Sequence, residues 1–176
     1  MKQIEEYFPR ALLERYGASV AEAGAHAEAA VEEVMARLEA LGEERMAKPV
    51  APGKWSPLQV ADHLHRVNLV AIDGIRRVKG GEEPVRTERG YLGPDGGLVV
   101  GLPGAEPAAN PDFASVAADL RRSNAALVEA AALAEGEGLT ATVVNVNPFF
   151  GELTPLDSVR MAALHARHHI RNHLRE

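Results

Sequence analysis

Three histidines stand where side-chain type and spacing could do chemistry, one in Ala61-Asp62-His63-Leu64 and two in Leu164-His165-Ala166-Arg167-His168-His169. His165 and His169 lie four apart in a segment of helical pattern, so both imidazoles leave one face a turn apart, which is the spacing of paired metal ligands. Three neutral imidazoles can hold a divalent ion and leave it an open coordination position. Such an ion lowers the pKa of water or of a thiol towards neutrality. The competing reading is a core histidine, buried, neutral and hydrogen-bonded, and metal-free helices also carry i, i+4 pairs. Three inward candidates from two helices favour a shared ion, because one ion satisfies three nitrogens at once.

Four helices must position these side chains. Ser19-Val20-Ala21-Glu22 and Ser56-Pro57-Leu58-Gln59 fit the capping box, and Asn110-Pro111-Asp112 and Thr154-Pro155-Leu156-Asp157 repeat an arrangement of cap, proline and acid. Helices are expected at about 19–45, 56–79, 111–135 and 154–175, with apolar stripes of bundle spacing such as Val20, Gly24, Ala27, Val31, Val34, Leu38 and Leu41. Projection of the second helix puts His63 at the edge of the buried face, and His65 opposite, towards solvent with Leu69 and Arg76. In the fourth, His165, His169 and His173 follow the border of the buried stripe, while His168 lies nearer the arginines. His173 is read as a neighbour of the site or a core residue, and His26 as solvated. Trp55, just before the Ser56 cap, is expected to close the bundle end as a hydrophobic staple.

The connections are unequal. Residues 80–111 are rich in glycine and proline and long enough to cross the bundle between helices two and three. Residues 137–153 form a second link, in which residues 140–146 have β character and at most a short strand is expected. Residues 1–18 read as a short helix packed on the bundle.

Composition narrows the function. At 176 residues the chain is expected to be one all-α domain. A formal charge of −6 with no basic run speaks against nucleic-acid binding. The chain has no cysteine, so a metal site must use His, Asp, Glu, backbone or water, and any nucleophilic thiol must come from a cosubstrate. No signal-like or membrane-length apolar run is present, which leads us to expect a soluble, cytoplasmic protein without membrane partners.

Ala51-Pro52-Gly53-Lys54-Trp55-Ser56-Pro57-Leu58-Gln59-Val60-Ala61-Asp62-His63-Leu64 resembles the start of the second helix in DinB-like proteins, the damage-inducible four-helix-bundle family that includes thiol-dependent S-transferases. Pro148-Phe149-Phe150-Gly151-Glu152-Leu153-Thr154-Pro155, followed by His165-x-x-x-His169, resembles that family's entry to its last helix and its closing metal motif. The resemblance implies an up-down-down-up bundle, whose parallel middle helices require a long crossover. It implies His63, His165 and His169 as ligands of a divalent ion, nickel or zinc first and iron or manganese next. A stress-response setting and a low-molecular-weight thiol such as bacillithiol, mycothiol or glutathione come with it. Many relatives carry a polar residue such as Gln shortly after the last ligand, where this chain has Ile170-Arg171-Asn172-His173, and the 80–111 insert is longer than a minimal connection. Both departures bear on substrate choice.

The function expected is a metal-dependent S-transferase or hydrolase that turns a thiol or water on a small electrophile, in a pocket lined by residues 80–111 and 137–153. Asn145, Asn147 and Glu152 are candidate polar contacts, each with loop capping as its alternative role. A non-catalytic metal-binding or structural bundle acting through partner binding, and a metal-free helical adaptor, are the rival readings. Broad apolar stripes also permit a homodimer.

Overall fold

The computed structural model describes residues 1–93, 97–99 and 101–174. Positions 94–96 and 100 of the expected crossover, and 175–176 at the end of the expected last helix, lie outside that description. In chain order the elements are β1 (Lys2–Gln3), α1 (Ala11–Glu14), α2 (Val20–Ala47), α3 (Pro57–Lys79), β2 (Val85–Arg86), β3 (Tyr91–Leu92), β4 (Leu98–Val99), α4 (Phe113–Gly136), β5 (Asn145–Asn147), β6 (Gly151–Leu153) and α5 (Pro155–His173). The protein is mostly helical. Its four long helices all pack on one another, as expected of a bundle.

Their starts follow the local chemistry of the caps. Ser56 accepts from the Gln59 N–H while the Gln59 side chain accepts from the Ser56 N–H, and Thr154 and Asp157 make the same reciprocal pair. Ser19 caps α2 by accepting from the Glu22 N–H. The third long helix starts later than its Asn-Pro signal suggests. Asp112, not Asn110, accepts the Ser115 N–H, and the helix opens at Phe113. Near the end of α2 the backbone leaves helical geometry at Gly42 (φ 74°, ψ 162°), a conformation open to glycine and strained for other residues.

Two core clusters run along the bundle. One joins Val34, Met35 and Leu38 of α2 with Leu58 and Leu64 of α3, Val116 and Leu120 of α4, and Ala166 and Ile170 of α5. The other joins Val20 and Ala27 of α2 with Ile75 of α3, Leu127 and Ala131 of α4, and Val159 and Ala163 of α5. The N-terminal segment adds a third, in which Ile4 and Leu13 pack with Phe149, Phe150 and Leu153. The short helix expected within residues 1–18 is therefore the single turn α1, accompanied by a strand. Arg10 binds the Asp157 carboxylate, and Arg160 donates to the Gly17 carbonyl, tying this segment to the start of α5.

The two long connections contain more strand than expected. β2, β5 and β6 form one small sheet, parallel between β2 and β5 and antiparallel between β5 and β6, and β1, β3 and β4 form another. Strands of two or three residues are too short for alternation of apolar and polar positions to register in the sequence. They form because the backbone of both connections needs hydrogen-bond partners once packed against the bundle.

Candidate metal centre

His63 leaves α3 in its second turn, and His165 and His169 leave α5 on successive turns. One ligating nitrogen from each lies within 4.8 Å of the other two. The Nε2 atoms of His165 and His169 face each other at 2.9 Å, and the His63 ring meets both edge-on, with centroids 5.1 and 5.5 Å away. His63 and His169 are buried and His165 is partly so. The group sits beside the first core cluster, whose members Ala61, Leu64, Ala166 and Ile170 flank the histidines in sequence.

Hydrogen bonding fixes which nitrogen of His63 is free. Its Nδ1 lies 2.7 Å from the carbonyl of Ala105, which can only accept, so Nδ1 carries the hydrogen and Nε2 keeps its lone pair. His169 places its Nδ1 at 3.1 Å from Nδ1 of His173, leaving Nε2 to face His165. Burial pushes the pKa of His63 down, and it pushes those of His165 and His169 well down, with the neighbouring histidines adding repulsion in the latter two. The imidazoles are therefore held neutral at pH 7, the form that binds metal. Three neutral nitrogen donors, two buried and one partly so, one of them oriented by a carbonyl and one by a second histidine, fit a divalent metal ion.

The other histidines sort themselves. His173 takes the neighbouring position expected of it, against His169. His168 is half-buried and accepts from the Asn172 amide; its ring meets that of His169 edge-on, with centroids 5.5 Å apart, but its nitrogens are not among the three that converge. His26 is exposed, with its ring edge-on to Tyr16. His65 departs from its solvent assignment: it is half-buried and its Nδ1 is enclosed without a partner. α3 packs on α2, α4, α5 and the β2 and β5 strands, so its flank away from the core is also partly covered.

Trp55 departs too. Its ring lies 4.7 Å from the His63 ring and remains 39% exposed, so it forms a lip beside the histidines in place of an interior staple. Glu152 is exposed; it pairs with Val146 in the β5–β6 ladder and its backbone carbonyl accepts from Arg10. Asn147 caps the turn by accepting from the N–H groups of Phe149 and Phe150, the alternative role weighed for it. Asn145 is buried and donates at long range to the Ala71 carbonyl and the Ser158 hydroxyl, at 3.4 and 3.5 Å.

Two contributors have no counterpart in the pattern of histidines. Ala105 acts through its backbone carbonyl, which no side-chain motif announces. Asp62 anchors the same loop, accepting from the Ala108 N–H at 2.6 Å and from Arg66 at 2.9 Å. Its place beside His63 and four before Arg66 was the available signal.

A small cavity of about 50 Å³ lies one turn further along α3 and one turn back along α5 from the histidines, and residues of both long connections line it, including Val85, Leu102 and Asn147. No match was found among curated proteins or among solved structures. A family model described as the DinB superfamily matches residues 13–172, which takes in His63, His165 and His169, all of α2, α3 and α4, and all but the last residue of α5.

Proposed function

Because the chain belongs to the DinB superfamily, we propose that it is a metal-dependent enzyme in which His63, His165 and His169 hold a divalent ion that serves thiol or water attack on a small electrophile. The observation that carries this reading is the convergence within 4.8 Å of three neutral imidazole nitrogens, from the buried His63 and His169 and the partly buried His165. When bound, the ion supplies Lewis acidity that lowers the pKa of a thiol or of water to near neutrality. The chain's own residues do the rest. Ala105 and His173 hold the rings of His63 and His169 in their working orientation. Burial keeps the imidazoles from protonating, and the partly exposed Trp55 and His165 leave one side of the group approachable.

The chain lacks cysteine, so in the S-transferase form of this reading the thiol arrives as a low-molecular-weight cosubstrate. Nickel and zinc are the ions the nitrogen set favours. The topology proposed is up-down-down-up. It is supported by the core clusters, where the C-terminal halves of α2 and α5 share one cluster with the N-terminal halves of α3 and α4.

Elemental analysis of protein purified without a polyhistidine tag tests the centre. About one divalent ion per chain is expected, lost in His63→Ala, His165→Ala and His169→Ala. Unchanged metal content in those variants overturns it. Thiol consumption with monochlorobimane, across glutathione, bacillithiol and mycothiol, tests the transfer. Equal rates before and after a chelation step shown to remove the metal would exclude the S-transferase.

A further inference from the structure

The cavity beside the histidines differs from them in chemistry. It begins where they end: Val67 is one turn beyond His63 on α3, Met161 is one turn before His165 on α5, and Leu102 precedes Ala105, the residue that orients His63. Three separate elements thus connect the group to the cavity. Among the described residues that line it, none is Asp, Glu, Lys, Arg or His. The walls are aliphatic, relieved by the amides of Asn68, Asn145 and Asn147 and the hydroxyls of Thr87 and Ser158. Several of these polar groups are already engaged. Asn68 donates to Ser123, Asn147 caps its turn, and Ser158 donates to the Thr154 carbonyl.

A charged group entering such a lining would lose its hydration and meet no counter-charge, whereas an apolar group would gain from burial. The volume of about 50 Å³ is several times the minimum for one water and admits only a few heavy atoms. We propose that this cavity binds a short, uncharged and largely apolar group of the small-molecule ligand, leaving the ligand's reacting end towards the three histidines. The identity of that reacting end rests on the metal-centre reading. The preference of the cavity for an uncharged group does not.

Methionine Cε offers a local reporter. Met161 lines the cavity, while Met35 and Met46 are buried in the core away from it. Protein labelled with ¹³C at the methionine methyls is titrated with butan-1-ol, butyrate and butylammonium, with the Met161 resonance assigned through Met161→Leu. Butan-1-ol is expected to shift the Met161 signal saturably and leave Met35 and Met46 in place. The two charged analogues are expected to bind at least about tenfold more weakly. The same ranking is expected in metal-stripped protein and in His165→Ala, so a failure of the metal centre leaves this result readable. Ala162→Leu, placed in the cavity wall, should abolish the response to butan-1-ol while the other methionine signals persist. Equal shifts from butyrate or butylammonium, or none from butan-1-ol in the wild-type protein, overturn the proposal.

Discussion

His63 Nδ1 donates to the carbonyl of Ala105 across 2.7 Å, so a helix side chain is oriented by a loop residue 42 positions further along the chain. The loop is held in turn by Asp62, the neighbour of His63, through the Ala108 N–H. Helix and crossover therefore brace each other around the site.

Asp62→Ala should release that brace. The Ala108 N–H loses its partner and Arg66 its carboxylate, at a cost of about 1–3 kcal/mol in stability. Metal affinity should fall about tenfold or more, because the orienting carbonyl of Ala105 is no longer fixed. Chelator competition together with urea unfolding measures both, and an affinity equal to wild type would dissociate the loop from the site.

His173→Ala separates a supporting residue from the ligands. Its Nδ1 contacts Nδ1 of His169 and lies outside the group of three. The variant should keep a full complement of ion when metal is in excess, with affinity reduced about 10–100-fold. Loss of stoichiometry at saturation would instead make His173 a ligand.

Trp55 is the only tryptophan in the chain and its ring lies 4.7 Å from that of His63. Adding Ni²⁺ to metal-stripped protein should quench its emission saturably. His63→Ala should remove the response, and His26→Ala, on the exposed face of α2, should retain it. A quench that persists without His63 would place the binding elsewhere.

At Gly74, α3 packs directly against the start of β5. A Cβ there would collide with Asn145 Oδ1 and come within 2.6 Å of the Val144 carbonyl. Gly74→Ala should therefore lower stability, overpacking costing about 1–3 kcal/mol and helix propensity returning up to about 1. An increase in thermal stability would contradict this packing.

Asp157 supplies a pH dependence. Burial favours its neutral form, but hydrogen bonds from Thr154 and the charge of Arg10, with a further bond from Arg160, outweigh that and lower its pKa. The unfolded chain then binds the proton more readily, so this stability is present above the unfolded value of about 4 and is lost as pH falls through the folded value. Comparing wild type with Asp157→Asn by urea unfolding, the gap should be full at pH 6 and narrow towards pH 3. A gap independent of pH would show that the carboxylate's charge contributes nothing.

Much of the helical frame was legible because its signals are local. The boxes at Ser56 and Thr154 use side chains three residues apart, and the apolar stripes repeat within one helix, so composition and spacing suffice. Of the strands, only β5 had a signal, the β character of residues 140–146 that runs into it; the rest were not legible, since two or three residues carry no period and their pairing joins segments such as Val85 and Asn145. Trp55 was misplaced because a cap motif sets where a helix starts and not which way the preceding ring turns. His65 was misplaced because projection of one helix ignores neighbours on its other flanks.

The sequence alone determined that His165 and His169 share a helix face and that any nucleophilic thiol must come from outside the chain. Those conclusions need only the 3.6-residue turn and the absence of cysteine. The tertiary structure decided that His63 of α3 meets that pair, that the carbonyl of Ala105 leaves its Nε2 free, and that an uncharged cavity opens beside them. Contacts between residues about a hundred positions apart arise from packing of the whole bundle, and a backbone carbonyl, common to every residue, is selected only by where the fold carries it.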